Sequence, residues 1–394
     1  MSKKLLVYNP ISNAGHLDSW SSVVLEELVK SGKDLIYVGE DINVIKENIK
    51  DEKIIKKIKF IKFYNFKDKI YLKIKSLLIK IINFFFSRLL KKNLHFNLFF
   101  NPKLFFKNCD KILKKLNINE DNIMVINMFL DIYTIDKKSW VECDKKYNFK
   151  WCGIHFHDVQ GRIQTINLLK NNSFLIFLIK DLLDKYKAKD NFYLSEFTYK
   201  KKNKDEFKLE KKIKFLSKGR KIIFMGGAIG KRKNLSSWAK IINQIDNDKY
   251  YFIQIGKVFF SDLDFDDKIA FKEILNKHPN NVYVHNNFIK KEKDLNSLIY
   301  LSDAIYAVYK NFKSSSNMIS KSLAFEKPIL VSYGGQMELD VKKYENGEIV
   351  AKDDIINSIK LIKKITDNKN KYKFDYKKID ETFKSNLNNI FSKY

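Results

Sequence analysis

The chain has 394 residues, of which 45% are hydrophobic, and carries a formal net charge of +29. This length exceeds what one ordinary core organises, so we expect two domains of about 150–200 residues each. The three cysteines, Cys109, Cys143 and Cys152, show no C-x-x-C spacing, which argues against a disulfide framework or a zinc site and favours a reducing cytoplasm. Residues 1–8 hold an apolar run too short for a signal peptide or a membrane span.

The positive charge has two interpretations. It suits a polyanionic partner, because phosphate-rich surfaces attract lysine at long range. The chain is also rich in Lys, Ile, Asn, Phe and Tyr and poor in Ala, Gly, Pro and Arg, which is typical of proteins from AT-rich genomes. Only local concentrations of charge therefore indicate function.

The first half opens with a βαβ pattern. We predict a strand at Lys4–Tyr8, a helix from about Ser19 to Lys30, and a strand at Asp34–Val38, because Ser31 and Gly32 end the helix. Two continuous apolar runs of the kind that buried parallel strands need follow at Asn122–Met128 and Lys150–His155.

The stretch from Lys53 to Lys115 combines lysines with apolar and aromatic runs, such as residues 76–86, SLLIKIINFFF, and Leu104–Phe106. A basic helix with an aromatic face suits the surface of an anionic bilayer. The alternative is an ordinary core helix with a solvated lysine edge.

A lysine-dense, mostly polar stretch, 184–220, separates the two halves and holds a short strand at Phe192–Leu194. Beyond it, short apolar strands alternate with helix-length segments, which predicts a second parallel, doubly wound sheet. These strands are Lys221–Met225, Tyr251–Ile255, Asn281–Val284, Asp303–Val308 and Pro328–Ser332. Residues 376–394 form an amphipathic helix with Ile379, Phe383, Leu387, Ile390 and Phe391 at helical spacing.

The second half resembles the retaining GT-B glycosyltransferases of family four over about residues 218–394. Residues 224–234, FMGGAIGKRKN, look like the strand, glycine turn and lysine of that family. The closest part, residues 322–347, is similar to its A-M-A-C-G-K-P-V-I-A, G-G-x-x-E and N-G motifs. The resemblance implies two Rossmann-like doubly wound domains facing a cleft, with a C-terminal helix that crosses back to the first domain.

The resemblance also implies donor-binding residues. Gly227 falls on the family's turn glycine and Lys233 on its diphosphate-binding lysine. The family's arginine falls on Ala228, so we expect Arg232 or Lys231 to supply that charge.

The main departure is the family's E-x7-E, whose glutamates contact the donor sugar and the ribose. Lys313 and Lys321 occupy these positions here. A lysine cannot accept hydrogen bonds from hydroxyls, although it can donate to them or pair with phosphate. Ser316 and Asn317 begin the next helix with capping side chains, so we expect its backbone N–H groups to hold phosphate.

The resemblance is weaker in the first half. Gly15 lies in a loop that looks like the family's glycine loop against the donor diphosphate. Residues 150–158 look like the strand that ends in a histidine near the reacting centre, which makes His155 the candidate catalytic residue and His157 the alternative.

These features predict an N-terminal acceptor-binding domain over 1–190, which includes the basic and aromatic segment 53–115, and a linker over 191–219. They predict a nucleotide-sugar-binding domain over 220–372 and a C-terminal helix over 373–394. The predicted activity is retaining transfer of a sugar from a nucleotide-sugar donor to a glycan or lipid-linked acceptor in cell-envelope polysaccharide synthesis.

We expect no cofactor and no metal, because lysines and helix N-termini would meet the charge of the leaving diphosphate. We expect a cytoplasmic protein with peripheral contact to an anionic membrane. A nucleotide-sugar epimerase of the same fold, or a catalytically degenerate membrane- or polyanion-binding protein, are the alternatives. Nucleic acid is not an expected partner, because the basic residues form no recognition motif.

Overall fold

The computed structural model describes residues 4–11, 16–49, 51–62, 101–133, 136–158, 160–187, 189–277, 279–392 and 394. The chain divides into two compact units, each built on one parallel β-sheet. Unit 1 consists of Met1–Ser195 and Lys384–Tyr394, and unit 2 of Glu196–Phe383.

The sheet of unit 1 has seven parallel strands in the order β3-β2-β1-β4-β5-β6-β7. The strands are β1 (Lys4–Asn9), β2 (Leu35–Gly39), β3 (Ile58–Lys62), β4 (Ile123–Asn127), β5 (Lys150–His155), β6 (Asn172–Phe177) and β7 (Phe192–Tyr193). The α-helices in the described part of this unit are α1 (His16–Lys30), α2 (Ile42–Ile49), α3 (Glu52–Lys57), α4 (Pro102–Lys115), α5 (Lys137–Lys146), α6 (Gln160–Asn167) and α7 (Asp181–Lys185).

Helix α4 shows how the aromatic part of the lysine-rich stretch is used. Asn101 caps the helix by accepting from the backbone N–H of Lys103, and Pro102 occupies its first turn. Phe105 and Phe106 are fully buried in the core of unit 1, where their rings make T-shaped contacts with Trp151. The core-helix alternative is therefore correct for this segment. The run at 76–86 lies outside the described residues.

The sheet of unit 2 has six parallel strands in the order β10-β9-β8-β11-β12-β13. The strands are β8 (Lys221–Gly226), β9 (Tyr250–Ile255), β10 (Val282–His285), β11 (Ala304–Ala307), β12 (Ile329–Ser332) and β13 (Gly347–Val350). The α-helices that the structure describes within unit 2 are α8 (Lys208–Ser217), α9 (Leu235–Gln244), α10 (Phe265–Lys277), α11 (Glu292–Leu301), α12 (Asn317–Phe325), α13 (Gln336–Tyr344) and α14 (Ile355–Asp367).

The last helix, α15 (Tyr376–Phe391), starts in unit 2 and ends in unit 1. Its residues at helical spacing, the five named from the sequence, are all buried. The expectation that the C-terminal helix crosses back to the first domain is confirmed, as is the class of two doubly wound α/β sheets. Among the helices that the structure describes, none is both long and apolar enough to cross a membrane.

Candidate functional site

In the sheet of unit 2, the order of the strands reverses between the neighbouring strands β8 and β11. Strand β8 leads to β9 and β10 on one side, whereas β11, its neighbour, leads to β12 and β13 on the other. Ligands of open α/β sheets bind beyond the carboxyl ends of the strands at such a switch point. The residues that follow β8 and β11 are therefore the first candidates for a site.

A glycine turn follows β8. Gly227 has φ of +95°, a conformation that L side chains rarely adopt. The carbonyl oxygen of Gly227 would lie 1.9 Å from a Cβ at Gly256, the glycine that follows β9. These two positions therefore require glycine, and the bare backbone that results leaves room for a ligand to approach the end of β8.

The side chain of Lys233 lies beneath this turn and is 3% exposed. Its Nζ donates to the Gly226 carbonyl oxygen at 2.8 Å and to the Tyr309 hydroxyl at 2.6 Å, and lies 4.1 Å from the centre of the Tyr309 ring. Burial, with a contribution from the Arg232 charge, holds the pKa of Lys233 well below its usual range. Lys233 is thus a desolvated amine at the switch point and not a solvated surface lysine.

Arg232 and Lys231 complete the basic turn. The Arg232 guanidinium is half-buried, 5.1 Å from the ring centre of Phe312 and 5.9 Å from that of Tyr309, whereas Lys231 is exposed. Aromatic faces hold a guanidinium in place through its charge and its planar shape. Arg232 is therefore the better-positioned of the two replacements for the charge absent at Ala228.

The start of α12 lies in the loop after β11. Ser316 is the N-cap and accepts from the backbone N–H of Met318, and Asn317 is the first helical residue, as the sequence predicts. A Cβ at Gly335 would come within 2.8 Å of the Lys313 Cα, so the loop before α13 packs directly against this one. The Lys313 side chain is exposed. A helix start can bind an anion through the N–H groups of its first turn that the cap leaves available.

Lys321 is fully buried and forms an ion pair with Glu292 of α11. Its Nζ also donates to Asn296 Oδ1 at 2.5 Å. These bonds satisfy much of the hydrogen-bonding capacity of the ammonium, and they direct it towards α11. A donor contact by Lys321 stays a prediction, and it requires this ion pair to open.

In unit 1, His155 ends β5 and is fully buried. Its Nδ1 lies 3.2 Å from Asp131 Oδ1, and Asp131 also accepts from the backbone N–H groups of Phe156 at 2.6 Å and His157 at 3.3 Å. Burial alone would raise the pKa of Asp131, but the His155 hydrogen bond and charge and the backbone N–H of Phe156 outweigh it, so the pKa is lowered. An ionised Asp131 fixes the orientation of the imidazole.

The other nitrogen of His155, Nε2, is buried without a hydrogen-bond partner in the described chain, while the His157 side chain is exposed. The catalytic assignment of His155 stays a prediction. Gly15 lies outside the described residues. Across the residues that the structure describes, no group of three or more His, Cys, Asp or Glu side chains could hold a metal ion.

Sequence reasoning missed three contributors to these sites. Tyr309 holds Lys233, Glu292 holds Lys321, and Asp131 holds His155. Each lies 24–76 positions from its partner along the chain, so only the fold brings the pairs together. The one signal in the sequence was that Tyr309 closely follows a predicted strand, where side chains face the carboxyl edge of the sheet.

No protein-family model matches the chain, and no curated protein matches it. Its fold matches many solved structures. A glycosyltransferase from Rickettsia africae is 15% identical with a TM-score of 0.60, covering 100% of this chain and 95% of that one. Anabaena HepE, in complex with UDP and glucose, is 10% identical with a TM-score of 0.58, covering 99% and 95%.

A UDP-forming trehalose-phosphate synthase from Burkholderia xenovorans is 9% identical with a TM-score of 0.62 and coverages of 99% and 97%. These alignments extend over both units of the chain and nearly the full length of each neighbour. Together with the two parallel sheets, they show that the chain has the GT-B fold of these glycosyltransferases.

Proposed function

We propose that the protein transfers a sugar from a nucleotide-sugar donor to a glycan or lipid-linked acceptor, in cell-envelope polysaccharide synthesis. The observation that carries this proposal is the group of residues at the switch point of unit 2. A glycine turn, a buried lysine, an arginine over an aromatic ring and a capped helix start lie beyond β8 and β11. HepE, which has the same fold, was solved with UDP and glucose.

The chemistry of glycosyl transfer explains why such residues are useful. Breaking the bond between sugar and diphosphate leaves negative charge on the diphosphate, and fixed cations and backbone N–H groups stabilise that charge without reorganising. We assign this role to Lys233, Arg232 and the first turn of α12. An incoming diphosphate would favour the charged form of Lys233 and so raise its pKa.

In unit 1, we assign His155 to the reacting centre and Asp131 to its orientation. The proposal includes retention of anomeric configuration and no essential metal. It also includes a cytoplasmic location and peripheral contact with an anionic membrane, where a lipid-linked acceptor would be available.

Binding is tested by thermal unfolding in the presence of a panel of nucleotide-sugars. A ligand bound only by the native state at a hundred times its Kd adds about 2.7 kcal/mol, which raises the Tm by roughly 5–10 °C for a domain of this size. A shift with one nucleotide-sugar and none with the free sugar supports the proposal. The absence of a shift with every nucleotide-sugar contradicts it.

Transfer is then measured as nucleotide release that requires an acceptor, with the anomeric configuration of the product read by NMR and chelator added as a control. A changed sugar formed without acceptor would instead indicate the epimerase. Binding without either reaction would indicate a degenerate binding protein.

A further inference from the structure

Glu196, the first residue of unit 2, has a buried carboxylate oxygen for which the described chain offers no hydrogen bond. The residue as a whole is half-buried, so its other atoms retain some access to solvent. The hydroxyl oxygen of Ser315 is also buried, and it lies close enough to the Glu196 carboxyl for a hydrogen bond that lowers the pKa of Glu196. Buried polar atoms are nearly always satisfied, so the unsatisfied carboxyl oxygen of Glu196 points to a ligand that binds it.

The charged and titratable groups that act on the pKa of Glu196 come from several elements around the switch point. They are Arg232 of the basic turn, Tyr309 after β11, Lys321 of α12 and Asp340 of α13. Ser315 adds a neutral hydroxyl immediately before the helix cap. Glu196 therefore belongs to the same group of residues as the proposed donor site, and the sequence did not single it out.

The environment of Glu196 disfavours its ionised form. Burial, followed by the Asp340 charge, raises the pKa of Glu196 to about 7, although Ser315, Arg232 and Lys321 act against this. Burial likewise raises the pKa of Asp340 to about 6, although Gln336, whose amide donates to it at 2.8 Å, and Lys343 act against this. Two neighbouring carboxyls that both resist ionisation leave Glu196 neutral in much of the protein near pH 7.

We propose that Glu196 contacts the nucleotide-sugar donor as a protonated carboxyl, whose O–H donates to a diphosphate or sugar oxygen while its carbonyl oxygen accepts from a sugar hydroxyl. This inference rests on the proposed function. No bond of the donor changes in this step, and the proton stays on Glu196. Glu196 thereby supplies a carboxyl oxygen that accepts from a sugar hydroxyl, which Lys313 and Lys321 cannot do because a lysine only donates.

The protonation state matters because the donor is an anion. An ionised Glu196 would repel the diphosphate across a short distance in a partly desolvated site, whereas the neutral acid donates to it. The pKa in the free protein is already raised, and the bound diphosphate raises it further, so binding takes up a proton at pH values above about 7. Affinity is therefore full below that pH and falls as pH rises through it.

The test is calorimetric titration with UDP-glucose, whose diphosphate keeps its charge over the range used. From about pH 6 to about pH 8 we expect the affinity to fall about tenfold, because a site with this pKa changes from about nine-tenths protonated to about one-tenth. Repeating the titration in buffers of different ionisation enthalpy measures the proton taken up. Other nucleotide-sugars replace UDP-glucose as probe if the binding panel selects them.

Glu196→Gln keeps the shape and a neutral side chain, so we expect its affinity to fall much less between about pH 6 and about pH 8 and its binding to take up fewer protons than that of the native protein. Any proton that Lys233 takes up on binding is the same in both proteins and cancels in the comparison. Glu210→Gln is the matched control. Glu210, on α8 of the same unit, is also buried with a raised pKa, yet its charged neighbours, Glu206, Lys202 and Lys214, lie outside the site. This variant should retain the native pH dependence.

Asp340→Asn provides a second, independent variant. Removing its charge lowers the pKa of Glu196, so the pH at which affinity falls should move down. A pH-independent native protein, or a Glu196→Gln protein that keeps the native dependence, overturns the inference and leaves the proposed function intact. Failure of every nucleotide-sugar to bind at any pH overturns the proposed function, and the inference with it.

Discussion

Lys233 is the residue at which binding and stability are most closely linked, because its side-chain nitrogen both lies at the switch point and donates to two oxygen atoms. We expect Lys233→Met to weaken nucleotide-sugar binding by about 1.5–3 kcal/mol, the value of a charge-assisted contact. The Gly226 carbonyl and the Tyr309 hydroxyl lose their donor, so unfolding free energy should fall by about 1–3 kcal/mol.

Lys231→Met is the control for this prediction, because Lys231 is exposed two residues away in the same turn. It should leave stability within about 0.5 kcal/mol of the native value and affect binding far less. Calorimetry and urea unfolding measure both quantities. Equal donor affinities in the two variants would contradict the assignment of Lys233.

At Lys321 the prediction separates a structural role from a donor contact. Lys321→Glu places a second carboxylate against Glu292 in a buried site, so unfolding free energy should fall by about 3–5 kcal/mol. The reversed pair, Lys321→Glu with Glu292→Lys, should recover part of that loss. The exposed pair Lys377–Glu381 supplies the control, since Lys377→Glu should cost no more than about 1 kcal/mol.

Donor affinity of the reversed pair then completes the test. If stability and donor affinity recover together, Lys321 is only structural. If stability recovers and affinity does not, Lys321 also contacts the donor, as the resemblance implies.

At the end of α12, Glu326 stands where the motif that this chain resembles has a glycine. Glu326 follows the helix with φ of +56°, a left-handed conformation that costs a residue with a Cβ roughly 1 kcal/mol. Glu326→Gly should therefore raise unfolding free energy by about 0.5–1 kcal/mol, even after the loss of the exposed ion pair with Lys200.

Urea unfolding measures this change. Glu345→Gly, at the end of α13 with φ of +52°, should behave in the same way, whereas Glu381→Gly inside α15 should destabilise the protein by about 1 kcal/mol. A loss of stability in Glu326→Gly would show that the Lys200 pair outweighs the backbone strain.

The strands that sequence patterns missed have physical features in common. The predicted strands are confirmed within one or two residues, but β3, β6 and β13 were not expected. Strands β3 and β13 each lie at an edge of their sheet and carry lysine, glycine or glutamate, so their alternation of apolar and polar residues is weak. Strand β6 begins a longer apolar run, which periodicity alone cannot distinguish from a buried helix.

At the scale of the whole molecule, the alternation of strands and helices was enough to predict two doubly wound sheets. Each buried strand is marked by a short apolar run, and such a run can be recognised even when sequence identity to known proteins is low. The site was predictable only in part. The glycine turn and the cap of α12 depend on neighbouring residues, whereas the partners of Lys233, Lys321 and His155 come from other elements. Burial of Lys233 could not be foreseen, because its sequence context is that of a surface lysine.

The last prediction concerns the whole molecule and the binding of its positive charge, +29 in total, to an anionic membrane. If the aromatic and basic run at 76–86 binds an anionic bilayer, the native protein should pellet with anionic vesicles at low salt and less with neutral ones. Raising the salt to about 0.1 M, where the screening length is about 10 Å, should weaken the lysine contribution. Phe84→Asp with Phe85→Asp should release the protein, because two carboxylates replace apolar rings at the headgroup boundary.

Phe215→Asp tests whether any exposed aromatic residue would give the same result. Phe215 lies on α8 of unit 2 and is 78% exposed, so its substitution adds a carboxylate without disturbing a core. We expect this variant to pellet as the native protein does. Circular dichroism establishes that the double variant is folded, and nucleotide-sugar binding in solution should be unchanged, because the proposed donor residues Arg232, Lys233 and Glu196 belong to unit 2. A folded double variant that still pellets fully would remove the membrane contact from the proposed function and leave soluble glycans as the acceptor class.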